Sequence, residues 1–243
     1  MKLEHYSSLA IRLANKLREG LESGGYKNER LPSEQDLALQ FGISRATVRN
    51  ALSILEKEGI IIRRQGSGTY PNRYVLRIDA RAENAYEFTE LIEKSGYDPS
   101  IEILSITEKP LGSSVSEKLE RSHEEVGVWV EKLFLGNGEP AIYCLDVFPR
   151  DIISTKTYPS DELKKPIFNF LETHCNQKIY YFLAELVPQT AGKEIERLLN
   201  IGYGEPLLLF KEVGFTDKNR PILKSNVYYK DEFIRFSLIR NKK

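Results

Sequence analysis

The chain is poor in the residues that cross-link a fold, bind metals or anchor it in lipid. Its 243 residues include two cysteines, one tryptophan, one methionine and three histidines. Cys144 and Cys175 lie far apart without CxxC spacing, which fits reduced thiols in a cytosolic protein rather than a disulfide framework. His5, His123 and His174 are scattered and show neither HxxxH nor HxH spacing, so no metal site and no cofactor are expected. No apolar run approaches the length of a membrane span. The opening Met1-Lys2-Leu3-Glu4-His5-Tyr6 lacks the apolar core of a signal peptide, so the expected location is cytoplasmic, with no membrane partner. No G-x-S-x-G, P-loop or G-x-G-x-x-G is present, and no catalytic residue is assigned. Neither sign of charge dominates, with 35 basic and 35 acidic residues.

That balance hides a division. Residues 1–73 carry 12 Lys+Arg against 8 Asp+Glu, which leaves 23 against 27 for the remainder. A basic segment joined to an acidic one suits a DNA-binding module carrying a regulatory module. Within the basic part, Leu9, Leu13, Leu17 and Leu21 form one apolar stripe and predict a helix from about Ser7 to Leu21, stopped by Ser23-Gly24-Gly25. Ser33 reads as the N-cap of a second helix, with Glu34 and Asp36 in its first turn and Phe41-Gly42 at its end. Ser44 caps a third helix that carries Val48, Leu52 and Leu55 and stops at Gly59. Ile60-Ile61-Ile62 reads as a strand, and Arg63–Tyr70 as a hairpin with a glycine tip. This order is that of a winged helix-turn-helix, with Pro71-Asn72-Arg73 as its exit.

Beyond it the pattern is α+β, a mainly antiparallel sheet with helices. Strands are expected over Ile101–Lys109, Val126–Leu135, Ala141–Phe148, Ile179–Pro188, Leu207–Thr216 and Ile222–Tyr229, with turns at Asn137-Gly138 and Asp217-Lys218-Asn219. Helices are expected over Tyr86–Lys94, Glu117–Arg121, Ile167–His174 and Ala191–Leu199. The domain boundaries expected are 1–73 for the winged helix, 74–81 for a linker and 82–243 for an effector-binding and dimerisation domain.

A helix that enters the major groove needs a small or polar N-terminal face and cations that reach guanine edges and phosphates. Ser44-Arg45-Ala46-Thr47-Val48-Arg49 supplies both, because Arg45 and Arg49 share a face while Val48 and Leu52 turn inward. Arg63 and Arg64 lead into Gln65-Gly66-Ser67-Gly68, where glycine lets backbone approach a phosphate closely. A merely solvated basic face would not carry the whole set in this order.

Leu31-Pro32-Ser33-Glu34, Phe41–Arg49, Ala51-Leu52, Leu55–Gly59 and Arg63–Thr69 resemble the GntR family of transcriptional regulators over residues 5–71. The second half resembles the UTRA ligand-sensing domain of the HutC-type branch, a fold similar to chorismate lyase. The residues that carry this likeness are Gly96–Pro99, Asn137–Pro140, Ile167–Glu172, Leu199–Pro206, Arg220-Pro221 and Tyr228–Phe236. The resemblance implies operator contacts at Ser44, Arg45, Thr47, Arg49, Gln65 and Gly66, and Ser33, Gln35, Arg64 and Ser67 complete the expected DNA-binding set. Gln35 departs from the arginine that many relatives carry, which implies a changed operator preference and a shallower salt dependence. It also implies a homodimer on palindromic double-stranded operator DNA and a small-molecule effector. Repression relieved by that effector is the expected sign, and activation is the alternative.

The family's pocket typically uses two arginines, a serine, a Ser-Leu-Tyr and a glutamate. The corresponding positions here are Lys132 and Phe134, Glu87, Pro166-Ile167-Phe168, and Leu223, with Tyr228 matching a pocket tyrosine. Only Lys132 keeps the phosphate-binding chemistry. The effector expected therefore has apolar or aromatic surface, with a cationic or hydroxyl group near Glu87. The plain alternative is that Phe134, Phe168 and Leu223 are core and the cavity is small or filled. Trp129 reads as core or dimer seam. Three other functions compete: a regulator without a small-molecule ligand, a metal-sensing regulator, and an enzyme. Scarce histidines and absent catalytic motifs weigh against the last two.

Overall fold

The computed structural model describes residues 9–26, 30–155 and 160–240. The chain divides into two compact units, one running to Ile78 and resuming at Ser237, the other spanning Asp79–Phe236. The first helix position expected at Ser7 lies outside the described residues.

The first unit contains α1 (Leu9–Glu22), α2 (Glu34–Phe41), α3 (Arg45–Lys57) and a hairpin of β1 (Ile61–Arg64) and β2 (Gly68–Pro71). Its boundaries follow from local chemistry. The Ser33 hydroxyl accepts from the Asp36 amide while the Asp36 carboxylate accepts from the Ser33 amide, a reciprocal cap for α2. Gly42 ends α2 in the left-handed region at φ 64°. The Ser44 hydroxyl accepts from the Thr47 amide at 3.1 Å and starts α3. Ile60 donates its amide to the Leu55 carbonyl at 2.9 Å, completing the helix end, so the strand begins one residue later than Ile60. Leu13, Leu17 and Leu21 turn inward with Ala10 and Ala14, and meet Leu37, Val48, Ala51, Leu52, Leu55 and Ile61 in one core. Leu9, in the first turn of α1, stays outside that core and is exposed.

The second unit is built on a six-stranded sheet in the order β4-β5-β6-β9-β8-β7. The strands are β4 (Pro99–Pro110), β5 (Val126–Gly136), β6 (Glu139–Pro149), β7 (Tyr181–Thr190), β8 (Pro206–Phe215) and β9 (Pro221–Tyr229), all paired antiparallel. The two-residue strands β3 (Ala80–Arg81) and β10 (Phe236–Ser237) lie near the ends of this stretch of chain. All six long strands overlap the runs where the sequence predicts them. Asn137 and Gly138 both take positive φ, 54° and 82°, which makes the tight turn between β5 and β6.

Helices cover both faces of the sheet. On one face, α4 (Phe88–Lys94) packs Leu91 and Ile92 against Phe134, Ile142 and Val227, and α6 (Ile167–Cys175) packs Phe170 and Leu171 against Val130 and Phe148. On the other, α5 (Gly112–Leu119) sets Val115 and Leu119 against Val147, and α7 (Lys193–Leu199) sets Leu199 against Tyr143. Two helix boundaries correct the sequence expectation. The helix expected over Glu117–Arg121 spans Gly112–Leu119 and ends where Glu120 turns left-handed at φ 54°. Its start is set by burial of Val115 and Ser116, which outweighs the turn preference of Gly112-Ser113-Ser114. The helix expected from Tyr86 begins at Phe88, because Tyr86 leaves the helix path and its hydroxyl accepts from the Arg81 amide at 3.0 Å.

Leu52 is 1% exposed at the centre of the first core. Leu52→Ala should destabilise that unit by ~2–5 kcal/mol in denaturant unfolding. An unchanged midpoint would mean that α3 does not pack through this side chain.

Candidate DNA-reading surface and effector cavity

On the first unit, the start of α3 and the hairpin tip present polar and cationic groups to solvent. Arg45 is exposed and has no ion-pair partner among the described residues. Arg49, one turn on, lies with its guanidinium 3.2 Å from the Glu34 carboxylate and its side chain 61% exposed. Ser44 and Thr47 share a hydroxyl contact of 2.8 Å at the helix start. Ser33 is held by Asp36, while Gln35 projects freely from α2. At the hairpin, Arg64, Gln65, Gly66 and Ser67 are exposed. Gly66 takes φ 72° with nothing within 4 Å of where a Cβ would stand, so the tip is open as well as tightly turned. The Arg64 guanidinium lies 5.1 Å from the centre of the Tyr70 ring, and the Ser67 hydroxyl meets the Tyr70 hydroxyl at 2.9 Å.

Two arginines belong to this surface in ways the sequence did not reveal. Arg63 is turned inward, donating to the Arg49 carbonyl at 3.1 Å and lying 3.3 Å from Glu56. Arg30 stands beside Gly68, where a Cβ would collide with its guanidinium. The hydrogen bond from the Leu31 amide to the Thr69 carbonyl, 2.8 Å, brings the segment before α2 onto the wing. Nothing in residue spacing shows that pairing.

In the second unit, the sheet face under α4 and α6 encloses a cavity of about 40 Å³. Glu87, Lys132, Phe134, Phe168 and Leu223 all line it. Tyr228 does not, which corrects the expectation. It leaves the opposite face, its ring centre 5.7 Å from that of Tyr143 and tilted 35° to it, while its neighbour Tyr229 faces the cavity. Trp129 is also on the opposite face, half-buried, with Lys109 4.4 Å from its ring centre.

Beyond Glu87 and Lys132, the cavity contains charge that the sequence reading did not place there, Asp146 and Glu212. Lys132 is 1% exposed, with its ammonium 3.8 Å from the Asp146 carboxylate. Asp146 also accepts from the Ser225 hydroxyl at 2.5 Å and the Cys144 thiol at 3.3 Å. Asp146, Ser225 and Glu212 are register partners across β6, β9 and β8, so they form one polar rung. Around it stand Phe88, Phe134, Phe168, Phe182, Phe210, Tyr229 and Phe236. A lone acid in the apolar run Ala141–Phe148, with a lone lysine one strand earlier, was the only sequence signal for a buried pair.

Burial raises the Glu87 carboxyl to about 7 against the pull of Lys132, and Asp146 and Glu90 add to the rise. Burial likewise raises Glu212 to about 7, reinforced by Asp146 and opposed by Lys224. Burial pushes the Cys144 thiol well up, which leaves it protonated as a donor to Asp146.

A winged helix-turn-helix with an exposed cationic reading face, joined to a cavity-bearing α+β unit, defines a transcriptional regulator. The UTRA domain profile matches residues 94–235 and that of bacterial regulatory proteins of the gntR family matches residues 9–70. The chain belongs to the GntR family, in its UTRA-domain branch, a family of transcriptional regulators rather than enzymes. It is 26% identical over 240 residues, 98% of both chains, to the mannosyl-D-glycerate transport/metabolism system repressor MngR of Escherichia coli (strain K12). It is 25% identical over 214 residues to the histidine utilization repressor of Pseudomonas putida, covering 84% of this chain and 80% of that one. The crystal structure of the possible regulator YydK from Bacillus subtilis shares the fold, with a TM-score of 0.76, 18% identity, and coverage of 96% and 99% of the two chains.

A carboxyl whose pKa is raised on folding is neutral in the folded chain at a pH where the unfolded chain has ionised. For Glu212 this stabilising contribution is complete below the ordinary value of 4.5 and is lost as pH rises through about 7. Glu212→Gln should therefore raise the melting temperature at about pH 8, with the gain shrinking toward about pH 5. An equal gain at both would mean that Glu212 does not titrate from a buried position.

Proposed function

We propose that α3 and the wing read operator DNA and that the cavity of the second unit receives the effector. In this reading Arg45 and Thr47 meet base edges, and Ser44, Arg49, Ser33 and Gln35 meet bases or phosphates. Arg64, Gln65, Gly66 and Ser67 carry the wing onto the backbone or the minor groove, with Arg30 as a further cation. The exposed pair Arg45 and Arg49 on the first turns of α3 is the observation that carries the reading.

One recognition helix and one wing read few base pairs, so a two-fold dimer on palindromic half-sites follows. Tyr181, Leu183 and Leu186 are exposed on β7, an edge strand of the sheet, and support self-association through the second units. An effector that prefers one state of the dimer changes operator affinity by its differential binding, typically ~1–3 kcal/mol. The E. coli and P. putida relatives are named repressors, which supports repression relieved by effector here.

Two links in the chain can carry the coupling. The backbone passes between the units at Ile78–Asp79 and again at Phe236–Ser237. Phe236 lines the cavity, and Ile239, three residues on, lies beside Gly59 at the end of α3 in the first unit.

The cavity's small volume favours a second reading, a regulator with no small-molecule ligand. Melting-temperature shifts across a metabolite library separate the two, because ligand binding to the native state stabilises it by mass action. For the DNA surface, Arg45→Ala should cost ~1–3 kcal/mol of operator binding and relax base preference, measured by fluorescence anisotropy on operator variants. Unchanged affinity and preference would remove Arg45 from the reading surface.

A further inference from the structure

We propose that the effector is an organic cation, an amine or quaternary ammonium on an apolar body, whose charge is met by Glu87 and Glu212. This rests on the reading of the cavity as the effector site and names the chemistry that site selects.

The inference starts from which charges are already matched. Lys132 is the one cation that lines the cavity among the described residues, and Asp146 lies against it. Ser225 and Cys144 complete the hydrogen bonding of Asp146, so this pair is closed within the protein. Glu87 and Glu212 also line the cavity, and neither carboxyl makes a hydrogen bond or ion pair with another described residue. Lys224, which acts on Glu212 electrostatically, leaves β9 on the opposite face and donates to Asn226 and to the Ser225 carbonyl at 3.1 Å. The cavity thus holds three carboxyls against one ammonium.

Each class of ligand meets this arrangement differently. An anion would enter a low-dielectric space beside two carboxyls and one already-paired lysine, and would be repelled. A neutral apolar ligand would strip water from both carboxyls and return no partner. A cation supplies the missing charge and lets both acids ionise. The walls suit it as well. Phe88 meets Phe134 edge to face at 4.9 Å, and Phe210 meets Tyr229 at 5.0 Å, so aromatic rings, the side chains that attract a cation, wall the cavity. A cavity of about 40 Å³ admits little more than water, so a ligand must displace rings. Phe168 and Phe182, half-buried with ring centres 5.7 Å apart, are less tightly enclosed than the buried Phe134 and Phe210.

The test uses the full chain and probes on one skeleton: 2-phenylethylamine, 2-phenylethanol and phenylacetate, followed by alkyl- and arylamine, alcohol and carboxylate panels of matched size. Melting-temperature shifts identify binders, and calorimetry measures them. Amines should bind best, by about tenfold or more over the matched alcohol and acid, and lose about tenfold in Glu87→Gln/Glu212→Gln, which keeps the cavity's shape. Tighter binding of a carboxylate or alcohol overturns the proposal, as does no shift from any amine. If a carboxylate binds and Leu223→Phe weakens it, the cavity remains the effector site and only the cation class falls. If an amine binds and neither the double variant nor Leu223→Phe changes its affinity, it binds elsewhere and both readings fall. A fold check accompanies the variants, through their melting temperatures without ligand.

Discussion

In a pleated strand successive side chains leave on opposite faces, so the register of a sheet fixes which residues can share a site. In the second unit this decides nearly everything. Phe134 and Lys132 on β5 look into the cavity, while Leu133 and Glu131 look the other way. Tyr143 on β6 donates its hydroxyl to Glu131 at 2.9 Å on that other face, and Tyr228 joins Tyr143 there. Tyr229 takes the inward place one residue later. A slip of one residue in β9 would exchange the serine that holds Asp146 for a lysine or an asparagine, and the site would not form.

The Lys132–Asp146 pair is the costly part of this arrangement. Taking both charges from water costs several kcal/mol per ion, and only close pairing with satisfied hydrogen bonds repays it. Apolar side chains of similar volume would pack the same space without that cost. The pair's position in the cavity under α4 and α6 makes it intelligible as part of a binding site, since it holds the polar rung Asp146–Ser225–Glu212 at the cavity floor.

How much of this was legible depended on whether the signal was local. The caps at Ser33 and Ser44, the glycine stops at Gly42 and Gly59, and the Asn137-Gly138 turn are written in neighbouring residues. So are the runs that marked all six long strands. The cavity positions Glu87, Lys132, Phe134, Phe168 and Leu223 came from family resemblance rather than from periodicity. What stayed hidden needed tertiary pairing. β6 lies against β9 rather than β7, so nothing near Asp146 in the chain announces Ser225, and nothing near Glu212 announces Asp146. Arg30 is hidden for the same reason, since its place beside the wing depends on the Leu31–Thr69 hydrogen bond. Tyr228 was named from the resemblance alone, and the pairing of β9 turns it from the cavity and sets Tyr229 there instead.

The first unit obeys a different constraint on the proposed reading, because a DNA-reading face must stay both charged and ordered without DNA. Glu34 serves this end. It sits in the first turn of α2, where a helix favours an acid, and its carboxylate lies 3.2 Å from Arg49 and 3.9 Å from Arg63. Such an exposed pair contributes little stability, roughly 0–1 kcal/mol, so it orients Arg49 at low cost and yields it to a phosphate readily. Arg45 makes no ion pair with any described residue, which on the proposed reading leaves it free for the groove. One arginine is thus held in place and the other, among the described residues, left unpaired a turn apart, which fits the proposed reading of α3 as a helix that finds phosphates first and then distinguishes bases.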